Sequence, residues 1–259
     1  PGAQVVDASG CYVLPGLIDP HCHIGLCTDG TGEEDINEDG DPVTPELRAV
    51  DGIDPFDPCF SEAMRAGVTT VVTGPGIGTS SGAAAAVEYI IKHHDIKKVF
   101  DADALTLIAE NKQWLAEKQG DIVLTPHLGE FSRLCNMTVD EIKSDMLTCA
   151  QIFSEKYGVT LLLKGATTLV VNGDKVVFVT AGTPGMARGG SGDVLTGVIG
   201  GLMCGGHNNG MSGFAAAVYG AYICGKAGEM AAKDCGVLSM TPADTLANIP
   251  LVTRDMVKK

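Results

Sequence analysis

Residues 182–195 combine a glycine-rich loop, the start of a helix and a single carboxylate in the sequence GTPGMARGGSGDVL. Glycine allows backbone conformations that are closed to other residues. The apolar residues after Asp193 recur at helical spacing, so we expect the N–H groups of Gly190, Ser191 and Gly192 to converge at a helix N-terminus. Phosphate groups bind readily at such a place. Asp193 would then lie beside a phosphate and could accept a proton from an attacking hydroxyl.

The same segment also suits a simpler structure. Ser191 and Asp193 are both good N-cap residues, so the loop is also typical of an ordinary turn that precedes a helix. The loop alone therefore leaves both interpretations open.

The elements that must position this loop alternate between strands and helices. Strands are predicted at 68–72, 98–101, 122–125, 160–164, 168–171 and 175–180, and helices at 82–93, 104–109, 139–156, 192–203, 213–232 and 242–247. Such alternation favours a largely parallel sheet that is covered by helices. In such sheets, ligands bind beyond the carboxyl ends of the strands, where the glycine loops of this chain would fall.

Two acidic residues lie at the end of the predicted strand at 98–101 and just beyond it. One of Asp101 and Asp103 is expected to cap the helix that begins near Ala104, because Asp is a good N-cap residue. The other is then free to face a nucleotide or a metal ion.

Composition limits the classes of function. The chain has 259 residues, a formal net charge of −14 and no apolar run long enough to cross a membrane. The negative charge argues against a nucleic-acid partner, which needs a basic footprint. Nine cysteines lie without paired spacing, which favours reduced thiols in a cytoplasmic protein.

The charge is unevenly distributed along the chain. Residues 1–76 contain 14 Asp and Glu but only Arg48 and Arg65 as basic residues. A long acidic stretch at about 28–58 has almost no hydrophobic periodicity and is predicted to be an exposed loop. Such a step in charge can mark separate modules.

Five motifs occur in one order between about Gly74 and the C-terminus. They are GPGIG at 74–78, DADAL at 101–105, LTPHLGEF at 124–131, LKGATT at 163–168 and the loop that ends at Leu195. In this order they resemble the ADP- or ATP-dependent NAD(P)H-hydrate dehydratases. Two positions depart from that pattern: Leu128 replaces a proline, and Arg188 replaces a small residue. Arg188 could either crowd the loop or meet a phosphate.

The resemblance implies a ribokinase-like fold, which is a three-layer α/β arrangement around a largely parallel sheet. Before the GPG motif, this fold normally has several more strands and a glycine-containing loop. The chain has no segment that resembles them, so the fold is expected to be truncated at its N-terminus. The implied activity restores NAD(P)H from NAD(P)H hydrate: ADP or ATP with Mg²⁺ phosphorylates the ring hydroxyl, and phosphate is then eliminated. The truncation is expected to impair this activity. A homo-oligomer is also implied.

The resemblance also assigns residues to roles. Asp193 is implied as the general base and as a substrate contact, and Gly76, Gly78 and His127 as further substrate contacts. The implied nucleotide site consists of Lys164, Gly165, Ala166, Thr167, Thr168, Gly190, Ser191 and Gly192, and Glu130 is implied to hold Mg²⁺ through water.

Each of these residue types has a structural alternative. Lys164 also suits a solvated rim position, and Gly76 and Gly78 suit an ordinary strand-to-helix turn. Glu130 is also favourable at a helix N-terminus, and His127 could bond only to backbone groups.

Residues 1–76 resemble a different family. The segment PGLIDPHCH at 15–23 and the segment AGVTTV at 66–71 are similar to two barrel strands of metal-dependent amidohydrolases. The spacing of His21 and His23 places both on one face of a strand, as joint metal ligation requires. Zinc normally takes at least three protein ligands, however, and the further ligands of that family have no matching motif in the chain.

The sequence therefore predicts two parts. Residues 1–76 are predicted to be an incomplete amidohydrolase-like segment, and residues 77–259 a dehydratase-like domain, as in a fusion of two truncated genes. Three alternatives stay open: a metal-dependent amidohydrolase fragment, a ribokinase-like small-molecule kinase, and a protein that binds nucleotide without catalysis.

Overall fold

The computed structural model describes residues 70–93, 95–204 and 210–257, and six strands in this part form one sheet. They are β1 (Thr70–Thr73), β2 (Lys97–Phe100), β3 (Ile122–Leu124), β4 (Thr160–Leu163), β5 (Thr168–Asn172) and β6 (Lys175–Val179). Their order in the sheet is the same as their order in the chain. Strands β1 to β4 pair in parallel, while β5 and β6 are antiparallel to their neighbours.

Helices occupy both faces of this sheet. They are α1 (Ser81–His93), α2 (Ala102–Glu110), α3 (Leu128–Cys135), α4 (Val139–Ser144), α5 (Met146–Tyr157), α6 (Ser191–Cys204), α7 (Gly213–Cys235) and α8 (Pro242–Val257). Two short 3₁₀ helices lie at Lys112–Glu117 and Pro184–Met186. No helix within these described ranges is both long and apolar enough to span a membrane.

Two apolar layers hold the helices against the sheet. On one face, buried side chains such as Ile91 and Phe131 pack helices α1 to α5 against the strands. On the other face, Ile199 and Ala217 belong to the layer beneath α6 and α7. Helix α8 packs outside α7, with Val252 against Ile223. The three-layer α/β architecture expected from the sequence is therefore confirmed.

Strand residues explain why the sheet is buried. Strand β4 is the segment Thr-Leu-Leu-Leu, and all four of its residues are buried. A strand with helices on both faces has no solvated side, so it needs a continuous apolar run rather than an alternating one. Beyond β4 the chain turns back as the hairpin of β5 and β6, whose outer strand has exposed positions at Lys175 and Phe178.

Two predicted helices differ from the observed ones. The helix predicted at 139–156 is divided at Asp145, whose carboxylate accepts a hydrogen bond from Thr148 N at 3.3 Å and so begins a new helix. The helix predicted at 242–247 continues to Val257, and Pro250 lies inside it. A proline usually interrupts a helix. Packing of α8 along α7 instead stabilises the longer helix.

Gly74 is expected to be essential for stability. A Cβ at this position would lie 1.8 Å from the carbonyl oxygen of Asp101, and its φ of +133° is a region that other residues rarely adopt. We expect Gly74→Ala to lower the free energy of unfolding by about 3 kcal/mol. Urea unfolding followed by the fluorescence of Trp114, the single tryptophan and a buried one, measures this loss.

Gly76→Ala is the matched control for that substitution. Gly76 also has a positive φ, of +75°, but no atom lies within 4 Å of its Cβ position. Only backbone strain of about 1–2 kcal/mol is therefore expected. Equal losses in the two variants would contradict the steric explanation.

Candidate functional site

Polar residues meet at the edge of the sheet where the parallel strands end. Asp101 directly follows β2, and Lys164 directly follows β4. Pro126 and His127 extend the pairing of β3 with β4, because Lys164 N donates to Pro126 O at 2.8 Å and His127 forms a parallel bridge with Lys164. We call this place, with the turns and helix starts that adjoin it, the strand-end edge.

Lys164 and Asp101 form an ion pair at the strand-end edge. The distance from Lys164 Nζ to Asp101 Oδ1 is 2.7 Å, and Glu130 Oε2 lies 3.9 Å from the same nitrogen. The Asp101 side chain is only 4 % exposed, whereas that of Lys164 is 24 % exposed. A buried carboxylate therefore balances the charge of Lys164, while part of the lysine side chain stays accessible to solvent.

The start of α6 lies against this ion pair. A Cβ on Gly192 would be 3.1 Å from Asp101 Oδ2 and 3.7 Å from Lys164 Nζ. Asp193 follows in the first turn of the helix, and it is exposed. In the described part of the chain, its carboxylate makes no hydrogen bond or ion pair. The structure thus places the glycine loop and the first turn of α6, which contains Asp193, beside Lys164.

Backbone N–H groups at the same helix start are free to bind an anion. Within the described ranges, the N–H groups of Gly190, Gly192 and Asp193 donate no hydrogen bond. Ser191 N instead donates to Arg188 O at 3.2 Å, so one of the three predicted anion-binding amides is already engaged. The sequence analysis did not predict the free N–H group of Asp193.

The turn at residues 74–78 packs against the segment that follows β2. Asp101 N donates to Thr73 O at 3.1 Å, and Gly78 N donates to Asp103 Oδ2 at 2.9 Å. This corrects the expectation that one of the two aspartates caps α2. Asp101 occupies the N-cap position without a capping hydrogen bond, because its carboxylate is directed to Lys164.

His127 and Glu130 form a reciprocal capping box at the start of α3. His127 Nδ1 accepts from Gly129 N at 3.0 Å and from Glu130 N at 3.2 Å, and Glu130 Oε2 accepts from His127 N at 2.7 Å. The structural alternatives raised for both residues are therefore present. His127 still has an exposed ring, with 55 % of its side chain accessible, so it can also contact a ligand.

Carboxylates outnumber basic groups at the strand-end edge. Asp101 and Glu130 lie within 4 Å of Lys164 Nζ, and Asp103 and Asp193 lie on the adjoining helix starts, whereas Lys164 is the lysine that the described residues place at this edge. A polyphosphate brought to this edge would need a further cation to balance the charge. Of the described residues, no three His, Cys, Asp or Glu side chains converge as a metal site. Mg²⁺ held together with a nucleotide needs only one or two carboxylates and the phosphate oxygens, so these residues fit it in that form.

The remaining predicted residues lie beside the ion pair or outside the described ranges. Gly165, Ala166 and Thr167 form the exposed connection between β4 and β5, and Thr168 begins β5. The guanidinium of Arg188 donates a hydrogen bond to Leu238 O, outside the glycine loop. His21 and His23 lie outside the described residues.

Comparison with known proteins identifies the family. Residues 55–251 match the NAD(P)H-hydrate dehydratase family. The chain belongs to this family. The family match begins at residue 55, inside the segment at 1–76. The amidohydrolase-like character of that segment and the domain boundary at residue 76 stay predictions.

Relatives in this family include bifunctional repair enzymes and an ADP-dependent dehydratase. A bifunctional NAD(P)H-hydrate repair enzyme of Moorella thermoacetica is 37% identical over 204 residues, which is 78% of this chain and 37% of that protein. The ADP-dependent (S)-NAD(P)H-hydrate dehydratase of Neisseria meningitidis serogroup B is 32% identical over 208 residues, covering 79% of this chain and 69% of that one. The chain spans only 35% to 44% of the length of the first bifunctional relatives.

Solved structures share the fold. An ADP/ATP-dependent NAD(P)H-hydrate dehydratase from Bacillus subtilis, co-crystallised with ATP and Mg²⁺, has a TM-score of 0.62 at 23% identity and covers 72% of this chain and 64% of that chain. A protein from Streptococcus mutans has a TM-score of 0.66 at 25% identity and covers 76% of this chain and 69% of that one. Hydroxyethylthiazole kinase of Pyrococcus horikoshii has the same fold at 19% identity.

Proposed function

We propose that this chain catalyses the nucleotide-dependent dehydration of NAD(P)H hydrate, with ADP or ATP as phosphoryl donor. The observation that supports the proposal most is the convergence of Lys164, the free amides at the start of α6 and Asp193 at one edge of the sheet. Phosphoryl transfer requires mainly positioning and charge neutralisation, and these groups supply both.

Asp193 is proposed as the general base. Its carboxylate is exposed and makes no hydrogen bond in the described part of the chain, so it is free to accept the proton of the ring hydroxyl. The hydroxyl oxygen then forms a bond to the terminal phosphorus of the nucleotide while the bond to the bridging oxygen breaks. Phosphate is a better leaving group than hydroxide, so the later cleavage of the C–O bond and loss of a ring proton restore the reduced nicotinamide.

The nucleotide is proposed to lie along Lys164 to Thr168 with its phosphates over the start of α6. The helix N-terminus carries a partial positive charge that favours phosphate, and Lys164 adds a full charge beside Gly192. Bound Mg²⁺ would neutralise phosphate charge. Glu130 and Asp101, whose carboxylates lie within 4 Å of Lys164 Nζ, could hold it directly or through water.

The hydrate is proposed to bind between the 74–78 turn and His127. Gly76 is exposed, and no atom lies within 4 Å of its Cβ position, so a ligand can approach its backbone closely. A cytoplasmic location and a homo-oligomeric state accompany this proposal as predictions. No disulfide joins the five cysteines of the described part, which suits a reducing compartment.

Incubation of the full chain with NADH hydrate, Mg²⁺ and either ADP or ATP tests the proposal. We expect the absorbance of NADH to return with one phosphate released per NADH formed. Accumulation of a stable phosphorylated product would instead indicate a small-molecule kinase, which the same fold also supports. Nucleotide binding without any turnover would contradict the proposed activity.

A further inference from the structure

The turn at residues 74–78 contains three glycines, whose backbone is not restricted by a side chain. Gly74, Gly76 and Gly78 have φ angles of +133°, +75° and +68°. Glycine loses more conformational freedom on ordering than any other residue, so three such residues in five make the turn costly to fix. Its one internal backbone bond, from Ile77 N to Gly74 O, is long at 3.3 Å. Contacts from elsewhere in the chain must therefore hold it.

Asp103 supplies such a contact from 25 residues away. Its Oδ2 accepts a hydrogen bond from Gly78 N at 2.9 Å, at the C-terminal end of the turn. At the N-terminal end, Asp101 N donates a hydrogen bond to Thr73 O. A charged acceptor makes this bond stronger than one between neutral groups. The two ends of the turn are thus tied to the same three-residue segment, 101–103.

The backbone of that segment is itself unusual. Ala102 has a φ of +48°, a conformation that residues other than glycine rarely adopt. With this conformation, neither Asp101 nor Asp103 caps α2 with its side chain. The Asp101 carboxylate instead accepts a hydrogen bond from Lys164, and that of Asp103 accepts one from Gly78 N. Backbone strain of this kind persists where the surrounding structure enforces it, and it is concentrated at functional sites.

We propose that Asp103 is a positioning residue that fixes the 74–78 turn for binding of the hydroxylated nicotinamide substrate. This inference rests on the proposed function, because it is the proposed function that places the substrate at this turn. Asp103 does not touch the reacting atoms in this scheme. It acts through Gly78, and Lys164 and the start of α6 hold the nucleotide independently of it.

A purely structural role is the alternative. A carboxylate in the first turn of a helix also stabilises the helix through its dipole, and Asp103 lies in the first turn of α2. Asp140 occupies the same place in α4, is exposed, and lies on a helix that contributes nothing to the strand-end edge. Asp140→Leu is therefore the matched control for loss of a first-turn carboxylate.

The test compares Asp103→Leu, Asp103→Asn and Asp140→Leu in the full chain. Asp103→Leu removes the acceptor, while the amide oxygen of Asp103→Asn can still accept from Gly78 N. In Asp103→Leu we expect about tenfold faster hydrogen exchange at the Gly78 amide and about a tenfold higher KM for NADH hydrate. The Kd for ADP, measured by calorimetry, should stay within about twofold. Asp103→Asn should restore most of the exchange protection and of the KM.

Three results would overturn the inference. The first is unchanged exchange at Gly78 in Asp103→Leu, and the second is the same loss in Asp140→Leu. The third is a parallel rise in the KM for the hydrate and the Kd for ADP, because that indicates a general disturbance of the fold. If the unsubstituted chain does not act on NADH hydrate, the proposed function fails, and the exchange comparison alone then decides whether Asp103 fixes the turn.

Discussion

Asp193→Asn is expected to lower kcat for the repair of NADH hydrate by a factor of about 10²–10⁴. The substitution keeps the size of the side chain but removes its capacity to accept a proton. The first turn of α6 should be preserved, because the hydrogen bond from Thr196 Oγ1 to this residue is accepted by the backbone carbonyl of Asp193. Single-turnover measurements with saturating ATP and Mg²⁺ isolate the chemical step from product release.

Nucleotide binding provides the internal control for that variant. The free N–H groups at the start of α6 remain in Asp193→Asn, so the Kd for ADP should not rise. It could fall slightly, since a negative charge near the phosphates is lost. Asp174→Asn, an exposed change in the turn between β5 and β6, should leave both quantities unchanged. A kcat in Asp193→Asn equal to that of the unsubstituted chain would exclude Asp193 as the base.

Lys164→Met is expected to lower both stability and nucleotide affinity. The substitution leaves the carboxylate of Asp101, only 4 % exposed, without its counter-charge, and breaking a buried ion pair in this way costs about 3 kcal/mol. It also removes the ammonium group that lies beside Gly192 at the start of α6. We expect the Kd for ADP to rise about 10- to 100-fold.

A double variant separates the two effects of Lys164. Lys164→Met with Asp101→Asn removes both charges, so most of the lost stability should return. The affinity for ADP should stay low, because no ammonium group has been restored. Urea unfolding followed by Trp114 fluorescence and calorimetric titration measure the two quantities on the same samples. Recovery of ADP affinity in the double variant would show that Lys164 acts only by balancing Asp101.

The boundaries of most elements follow from the local pattern. The buried run of β4 and the helical spacing after Asp193 each involve adjacent residues, so the sequence predicts both elements close to their observed bounds. The division at Asp145 is not predicted, because the apolar pattern continues on both sides of it. In the structure the backbone of Asp145 leaves the helical conformation, and its carboxylate caps the next helix.

The sequence indicates candidate site residues but not the contacts that they make. The five ordered motifs contain His127, Glu130, Lys164 and Asp193, so the sequence alone indicates these four residues. No local pattern indicates that the partner of Lys164 is Asp101, which lies 63 positions earlier. The engagement of Ser191 N by Arg188 O also depends on the detailed path of the loop.

Local sequence patterns predict most of the strands and helices and the chemical groups at their ends. Periodicity and glycine placement act over a few residues, so they can be read from neighbours in the chain. The contacts of Asp101 with Lys164 and of Asp103 with Gly78 arise from the fold, because they join residues far apart in the chain. Those contacts depend on β2 lying between β1 and β3 in the sheet, and strand order is set by packing of the whole core rather than by any single segment.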